Sequence, residues 1–321
     1  MSKEAIAKSL KEANKILIIT HVDPDGDAIG SMLGLGLALE KLGKKIVMAC
    51  QDPVPKQFLY LPGSQRVIPY PHGSFDVVVS VDANDITRLG KAYHKGLFGD
   101  LPLLNIDHHI TNTYFGTINW VDPQAAATSE MVLELINEIG APLEPDIAIC
   151  LLNGIVTDTQ GFRTPNTTVR TLEAALRLQK AGANLHQVMT YAFNQHSLKV
   201  LQLWSKLLGQ VQFSNGVIWV RKPRSLLDEL GLDEDNDRGL INFLLGVEGA
   251  KVAAIFTEKL GGKVDVSLRS IPGIDVSAVA VKFGGGGHPQ AAGCQLNGSL
   301  EEVEKLVLEE LKKITQSRRG G

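Results

Sequence analysis

The sequence predicts an α/β protein: an N-terminal domain on a parallel sheet, followed by a smaller α+β domain. Three observations carry this. In the first half, short apolar runs alternate with helix-length segments, the pattern of βαβ units. Near residue 210 the pattern changes to paired strand-like runs around Asn-Gly and Gly-Gly turns. The 321 residues suit two domains at about 150 residues each.

Residues 1–8 read as a polar amphipathic helix, without the apolar run of a signal peptide. Lys15-Ile16-Leu17-Ile18-Ile19-Thr20 has the continuous apolarity of a buried parallel strand. A helix is expected over 27–42, closed by Gly43. Residues 45–50, 75–81 and 101–106 read as further strands. After Thr128 the pattern turns helical through Leu135, Leu152, Leu176 and Leu203, and Asn166-Thr167-Thr168 should cap a helix that runs to Lys180 and closes at Gly182. Residues 211–213 and 217–220, around Ser214-Asn215-Gly216, read as a hairpin. A second pairs 252–257 with 264–269 around Gly261-Gly262. The expected domains are 1–190 and 212–316, joined by a helical linker over 191–211, with a frayed tail from 317 to 321.

With 44% hydrophobic and 21% charged residues, the composition is that of a globular protein with a sizeable core. The formal net charge of −3 excludes a basic coat for nucleic acid, so any nucleic-acid site must be a local cleft. Cys50, Cys150 and Cys294 are far apart and form no CxxC pair, which argues against a disulfide scaffold or a thiolate zinc site. No window reaches about 18 continuous apolar residues, so no membrane span is expected and the setting reads as cytoplasmic.

Acidic and histidine residues gather just past the apolar strands. His21, Asp25 and Asp27 follow the first strand, Asp82 ends the 75–81 strand, and Asp107-His108-His109 ends the 101–106 strand. Asp158 follows an apolar helix. The carboxyl ends of parallel strands are where ligands bind, so these groups should converge. A lone Asp after a strand is most often a helix cap or turn residue, and Asp23 and Asp85 fit that description. His72, His94, His186 and His196 read as surface or local structural histidines. Asp25, Asp27, Asp82 and Asp158 in one pocket with His21 and His108 are different, because that much negative charge needs a counter-charge. Two divalent cations balance four carboxylates. Ligation by His and Asp without Cys suits manganese, with magnesium, iron or cobalt as alternatives. Two ions about 4 Å apart form the clamp used in phosphate-ester hydrolysis, and Asp82, alone on its strand, is the natural bridge.

The His21-x-x-x-Asp25-x-Asp27 segment, the isolated Asp82, the Asp107-His108-His109 triplet and the later Asp158 resemble the four motifs of the DHH phosphoesterase superfamily. The segment from Gly284 to Gly293, Gly-Gly-Gly-Gly-His-Pro-Gln-Ala-Ala-Gly, resembles the signature of its partner domain, DHHA1. The compact two-domain chain is similar to the nanoRNase A subfamily, bifunctional oligoribonucleases and 3′-phosphoadenosine-5′-phosphate phosphatases. That resemblance implies one ion on His21, Asp25 and Asp82, and a second on Asp27, Asp82, His108 and Asp158. Asp107 and His109 then support the ligands or the phosphate, so that Asp82, Asp107, His108 and His109 form the catalytic set. One departure is that Thr159-Gln160-Gly161 follows Asp158, where many relatives carry Gly two positions after the Asp.

The glycine run lets backbone N–H groups approach an anion, and with His288 it reads as a substrate clamp of Gly285, Gly286, Gly287 and His288. It is neither a Walker A loop nor a GxGxxG turn. Alternation along 264–269 puts Arg269 on the polar face of its strand, ready for a phosphate or a base. Arg88 and Arg163 lie shortly after Asp82 and Asp158 and are further phosphate candidates. The expected active site is a cleft between the domains, and the expected partner is short single-stranded RNA or a nucleotide, with a homodimer left open. Three other readings remain at this stage: a cyclic or linear dinucleotide phosphodiesterase, a RecJ-like single-strand exonuclease, and a non-catalytic nucleotide-binding protein.

Overall fold

The structure, a computed structural model, describes residues 2–193, 197–232 and 239–316. The chain divides into two compact units, Met1–Gln195 and His196–Gly321. The first runs α1 (Ser2–Glu12), β1 (Lys15–Ile19), α2 (Gly26–Lys41), β2 (Lys45–Ala49), β3 (Val77–Val81), α3 (Lys95–Phe98), β4 (Leu103–Asp107), β5 (Ile118–Val121), α4 (Thr128–Ile139), α5 (Pro145–Asp158), α6 (Val169–Lys180) and α7 (Leu185–Phe193).

Its five strands form one parallel sheet in the order β2-β1-β3-β4-β5. Ile16, Ile18, Val77 and Val79 face a core shared with α1, α2, α4 and α5, while Leu17, Ile19 and Val78 face a smaller cluster with Leu89 and Phe98. Both faces are covered, which is why β1 and β3 read as largely apolar runs. The strand order reverses between β1 and β3, so the loops after those two strands open onto the switch point where such sheets bind ligands.

The second unit runs α8 (Leu198–Leu208), β6 (Gln212–Ser214), β7 (Val217–Lys222), α9 (Arg224–Leu230), α10 (Leu240–Leu245), β8 (Val252–Lys259), β9 (Lys263–Ser270), α11 (Ser277–Lys282), β10 (Gly286–His288), β11 (Ala291–Asn297) and α12 (Leu300–Gln316). Its six strands are ordered β10-β11-β9-β8-β7-β6. The Asn215-Gly216 turn, with φ of 53° and 77°, closes the β6–β7 hairpin as its sequence requires, and β8 pairs antiparallel with β9.

Several features differ from the sequence reading. β5, an edge strand of four residues, is too short and too mixed in polarity to stand out. β7 and β8 pair in parallel, because α9 and α10 make a crossover between them. Gly286–His288 is an edge strand paired with β11 rather than an open loop. A Cβ at Gly285 would strike the Gly293 carbonyl oxygen, and one at Gly287 would lie 2.5 Å from the Ala291 oxygen, so close strand packing alone requires glycine at both. Asp158 is the last residue of α5 rather than a residue after it. The 317–321 tail and His196 lie outside the described residues.

Gly26, Gly30 and Gly34 recur every fourth residue on α2 and face α5. A Cβ at Gly30 would lie 2.5 Å from the Cys150 carbonyl oxygen and 2.9 Å from the Gly154 nitrogen, both backbone atoms. At Gly34 it would meet the Leu151 side chain, which can rotate away. Gly30→Ala should therefore lower stability by about 2 kcal/mol despite the better helix propensity of Ala, and Gly34→Ala by clearly less. Urea midpoints at unchanged slope measure both, and an unshifted Gly30→Ala midpoint contradicts this packing.

Candidate metal centre

Three strand ends and three helix ends build the site. Asp25 is the N-cap of α2: its Oδ1 accepts from the Asp27 and Ala28 N–H groups, each at 3.0 Å. Asp25 is thus both cap and exposed carboxylate, and the cap aims Asp27, in the first turn, inward. Asp27 is 1% exposed and accepts from the N–H groups of Thr128 and Ser129 at 2.6 and 2.9 Å, at the start of α4. Asp82 follows β3 in the left-handed region, φ 59°, a conformation that Asp tolerates better than most residues. Its Oδ1 accepts from Thr128 Oγ1 at 2.8 Å. Gly154 leaves room for this arrangement, since a Cβ there would collide with Ser129 Oγ and Asp27 Oδ1.

The imidazoles are held in two ways. His21 Nδ1 lies 2.7 Å from the Val22 carbonyl oxygen, and His108 Nδ1 lies 3.3 Å from that of Ala125. A proton donated there turns each Nε2 inward, where His21 Nε2 is 3.7 Å from Asp82 Oδ2. His108 Nε2 is 3.7 Å from Asp82 Oδ1 and 3.5 Å from Asp158 Oδ2. His109 pairs instead with a carboxylate: its Nδ1 is 2.6 Å from Asp107 Oδ1, while Asp107 Oδ2 accepts from Asn112 Nδ2 at 2.6 Å.

Donor atoms converge in three groups, each within 4.8 Å: His21 with Asp25 and Asp82, Asp27 with His108 and Asp158, and Asp82 with His108 and His109. All six metal candidates from the sequence are therefore brought together, with Asp107 and His109 beside them. Arg88 Nη2 stands 3.1 Å from His21 Nδ1, and Arg163 Nε donates to the Gln160 carbonyl oxygen at the surface. Gln160 takes the left-handed φ of 50° at the position where relatives are expected to carry Gly. Asp85 caps a turn through Thr87, and His72, His94 and His186 are exposed.

Arg269, Gly285, Gly286, Gly287 and His288 belong to the second unit. Along β9, Val264, Val266, Leu268 and Ser270 are buried while Asp265, Ser267 and Arg269 point to the other face. The half-buried Arg269 donates from Nη1 to the Leu268 carbonyl oxygen at 2.9 Å. The side chain of His288 lies outside what is described.

Thr128, Ser129 and Asn112 were missed by sequence reasoning. A Thr-Ser pair opening a helix signals a cap, but only the fold brings it to Asp27, 101 residues away.

On the protein's own charges the site is short of positive charge. Burial pushes Asp27 well above the carboxylate range, reinforced by Asp82 and Asp158. Burial raises Asp158 to about 7 against the pull of His108. Asp82 is held below the usual range: burial opposes ionisation, but His21, His109 and His108 outweigh it. Burial would lower His21 and His108, yet their carboxylate neighbours, Asp82 for the first and Asp158 with Asp82 for the second, raise both to about 9. A carboxylate and imidazole set that must bind protons near neutrality is one that a divalent ion discharges, and its N and O donors, without sulfur, suit hard or borderline ions.

Residues 15–155 match the DHH family, N-terminal domain, and residues 222–317 match the DHHA1 domain. The chain is 37% identical to the bifunctional oligoribonuclease and PAP phosphatase NrnA of Thermus thermophilus, over 96% of this chain and 92% of that protein. It is 29% identical to the protein of that name in Bacillus subtilis, over 95% and 96%. The crystal structure of an exopolyphosphatase-related protein from Bacteroides fragilis, at 24% identity, matches with a TM-score of 0.92 over 98% of each chain, a likeness of fold.

Ion uptake should release protons. Asp158 binds a proton below about pH 7, and His21 and His108 below about pH 9, and an ion must displace them. Affinity for a divalent ion should rise from pH 6 to pH 9, by about tenfold per pH unit for each proton displaced. Calorimetric titration in two buffers of different ionisation enthalpy counts those protons, and an affinity flat across this window contradicts the assignment.

Proposed function

The chain belongs to the DHH family and carries a DHHA1 domain, and from that premise we propose that it is a manganese-dependent phosphoesterase of short oligoribonucleotides and 3′-phosphoadenosine-5′-phosphate. The observation that carries this reading is the convergence of His21, Asp25, Asp27, Asp82, His108 and Asp158 at the carboxyl edge of one parallel sheet. The substrate class follows from the names of the two relatives aligned over nearly the whole chain.

His21, Asp25 and Asp82 would hold one ion and Asp27, Asp82, His108 and Asp158 the other, and the pair would supply an activated water and a clamp on the phosphoryl oxygens. Asp82 serves both sets, and Thr128 Oγ1 keeps its carboxylate from turning. His109 is drawn toward its cationic form: burial opposes this, but the Asp107 hydrogen bond and the Asp82 charge win. A proton held there would place positive charge beside a developing phosphoryl anion. Asn112 fixes Asp107, and Asp107 fixes the His109 ring. Arg88, at the His21 edge, and Arg269 of the second unit are the residues to which we assign the remaining phosphate or base contacts. A cytoplasmic setting goes with three cysteines that are all buried thiols.

Purified protein with manganese should convert a 5′-phosphorylated diribonucleotide to mononucleotides and 3′-phosphoadenosine-5′-phosphate to AMP and phosphate. Asp82→Ala should lose most bound manganese and nearly all turnover. Turnover of neither substrate by the manganese-loaded protein, or full activity in Asp82→Ala, sinks the proposal.

Arg269→Ala should raise KM for the diribonucleotide by about tenfold or more, the expected loss for a charged hydrogen bond to phosphate. Arg269→Lys should restore only part of this, because it lacks the planar fork. Bis-p-nitrophenyl phosphate offers little beyond the ester, and its hydrolysis should change much less. Equal losses on both substrates would remove Arg269 from substrate binding.

A further inference from the structure

Asn153 sits in the middle of α5, fully buried in a segment that is otherwise apolar, Cys150-Leu151-Leu152 before it and Ile155-Val156 after. A buried amide is costly unless both its ends are paired, and packing alone would favour Leu at such a position. Both ends are paired. Nδ2 donates to the carbonyl oxygen of Gly26 at 2.9 Å, and Oδ1 accepts from Tyr60 Oη at 3.0 Å. Gly26 is the residue between Asp25 and Asp27, and it has no room for a side chain because Thr157, one turn after Asn153, fills that space. Thr157 Oγ1 is itself anchored by donating to the Asn153 carbonyl oxygen at 2.8 Å. The Tyr60 ring stacks on Tyr191 of α7, with centroids 4.1 Å apart and planes 12° from parallel. Burial pushes the Tyr60 phenol above its usual range, so it stays a donor at any working pH.

We infer that Asn153, oriented by Tyr60 on its Tyr191 platform, is a positioning residue for the Asp25–Asp27 segment and sets how tightly the site binds divalent ions. It touches neither ion nor substrate. It fixes the one backbone carbonyl between two carboxylates that must diverge toward different donor groups, Asp25 with His21 and Asp82, and Asp27 with His108 and Asp158. Loss of the amide leaves the Gly26 carbonyl without this donor and lets the spacing of the carboxylates drift. The inference rests on the metal reading of the site given above.

Calorimetric titration with manganese chloride tests it on the wild type, Tyr60→Phe, Asn153→Leu and the double variant. Tyr60→Phe keeps the ring stack and the volume, so it stands even if Asn153→Leu fails to fold by circular dichroism. Removing a group that orients ligands typically weakens a metal site by about tenfold or more. Asn153→Leu should show about that rise in Kd for manganese, and Tyr60→Phe a smaller rise of at least about twofold. The double variant should bind no more weakly than Asn153→Leu alone, since Tyr60 acts through Asn153. At saturating manganese, kcat and KM of Tyr60→Phe for a diribonucleotide should return to wild-type values, a split that a general loss of stability does not produce. Normal wild-type affinity with unshifted variants overturns this inference alone, as does additivity in the double variant. A wild-type protein that takes up no manganese overturns the metal reading and this inference with it.

Discussion

Mutual repulsion among buried and half-buried carboxylates is the constraint around which the first unit is organised. Asp27, Asp82 and Asp158 are brought together from the start of α2, the end of β3 and the end of α5. Their placement follows from close backbone approach: the Gly26, Gly30 and Gly34 face of α2 lets α5 lie against it, and Gly154 leaves the gap that the Asp27 carboxylate fills. The fold offsets only part of the repulsion. The α4 amino end takes the Asp27 carboxylate with two N–H groups, and three imidazoles surround Asp82. Asp158 gets no such help from its own helix, because a carboxylate in the last turn faces the negative end of the helix dipole. A site placed there against local electrostatics is consistent with selection for a cation rather than for stability.

Much of this was legible in the sequence, and the reason is the parallel sheet. β1, β3 and β4 are buried on both faces and so announce themselves as largely apolar runs, and His21, Asp82 and Asp107-His108-His109 lie at or within two positions of the strand ends. Once those strands are recognised as parallel neighbours, convergence of His21, Asp82 and His108 follows from topology alone. The Asn215-Gly216 turn and the Thr168 cap were legible for a different reason, because turn and cap chemistry is local. What was hidden is what depends on tertiary register. β5 has only four half-buried residues, the parallel pairing of β7 with β8 depends on a helical crossover, and the glycines at 285 and 287 serve strand contact as much as any ligand. The hydrogen bonds of Thr128 and Ser129 to residues 46 and 101–102 positions away have no sequence signal beyond a helix start.

The three site histidines differ in what holds Nδ1. His21 and His108 give Nδ1 to backbone carbonyls, neutral acceptors that fix the ring without strongly favouring a second proton. Their raised pKa values come chiefly from carboxylates on the Nε2 side, so a cation placed among those carboxylates removes the reason for the extra proton. His109 gives Nδ1 to Asp107, which Asn112 holds in place through its other oxygen. That carboxylate, together with the Asp82 charge, raises the His109 pKa against the effect of burial. The same short triplet, Asp107-His108-His109, thus holds its two rings on different acceptors, a backbone carbonyl for His108 and a carboxylate for His109, although both follow directly on the end of β4.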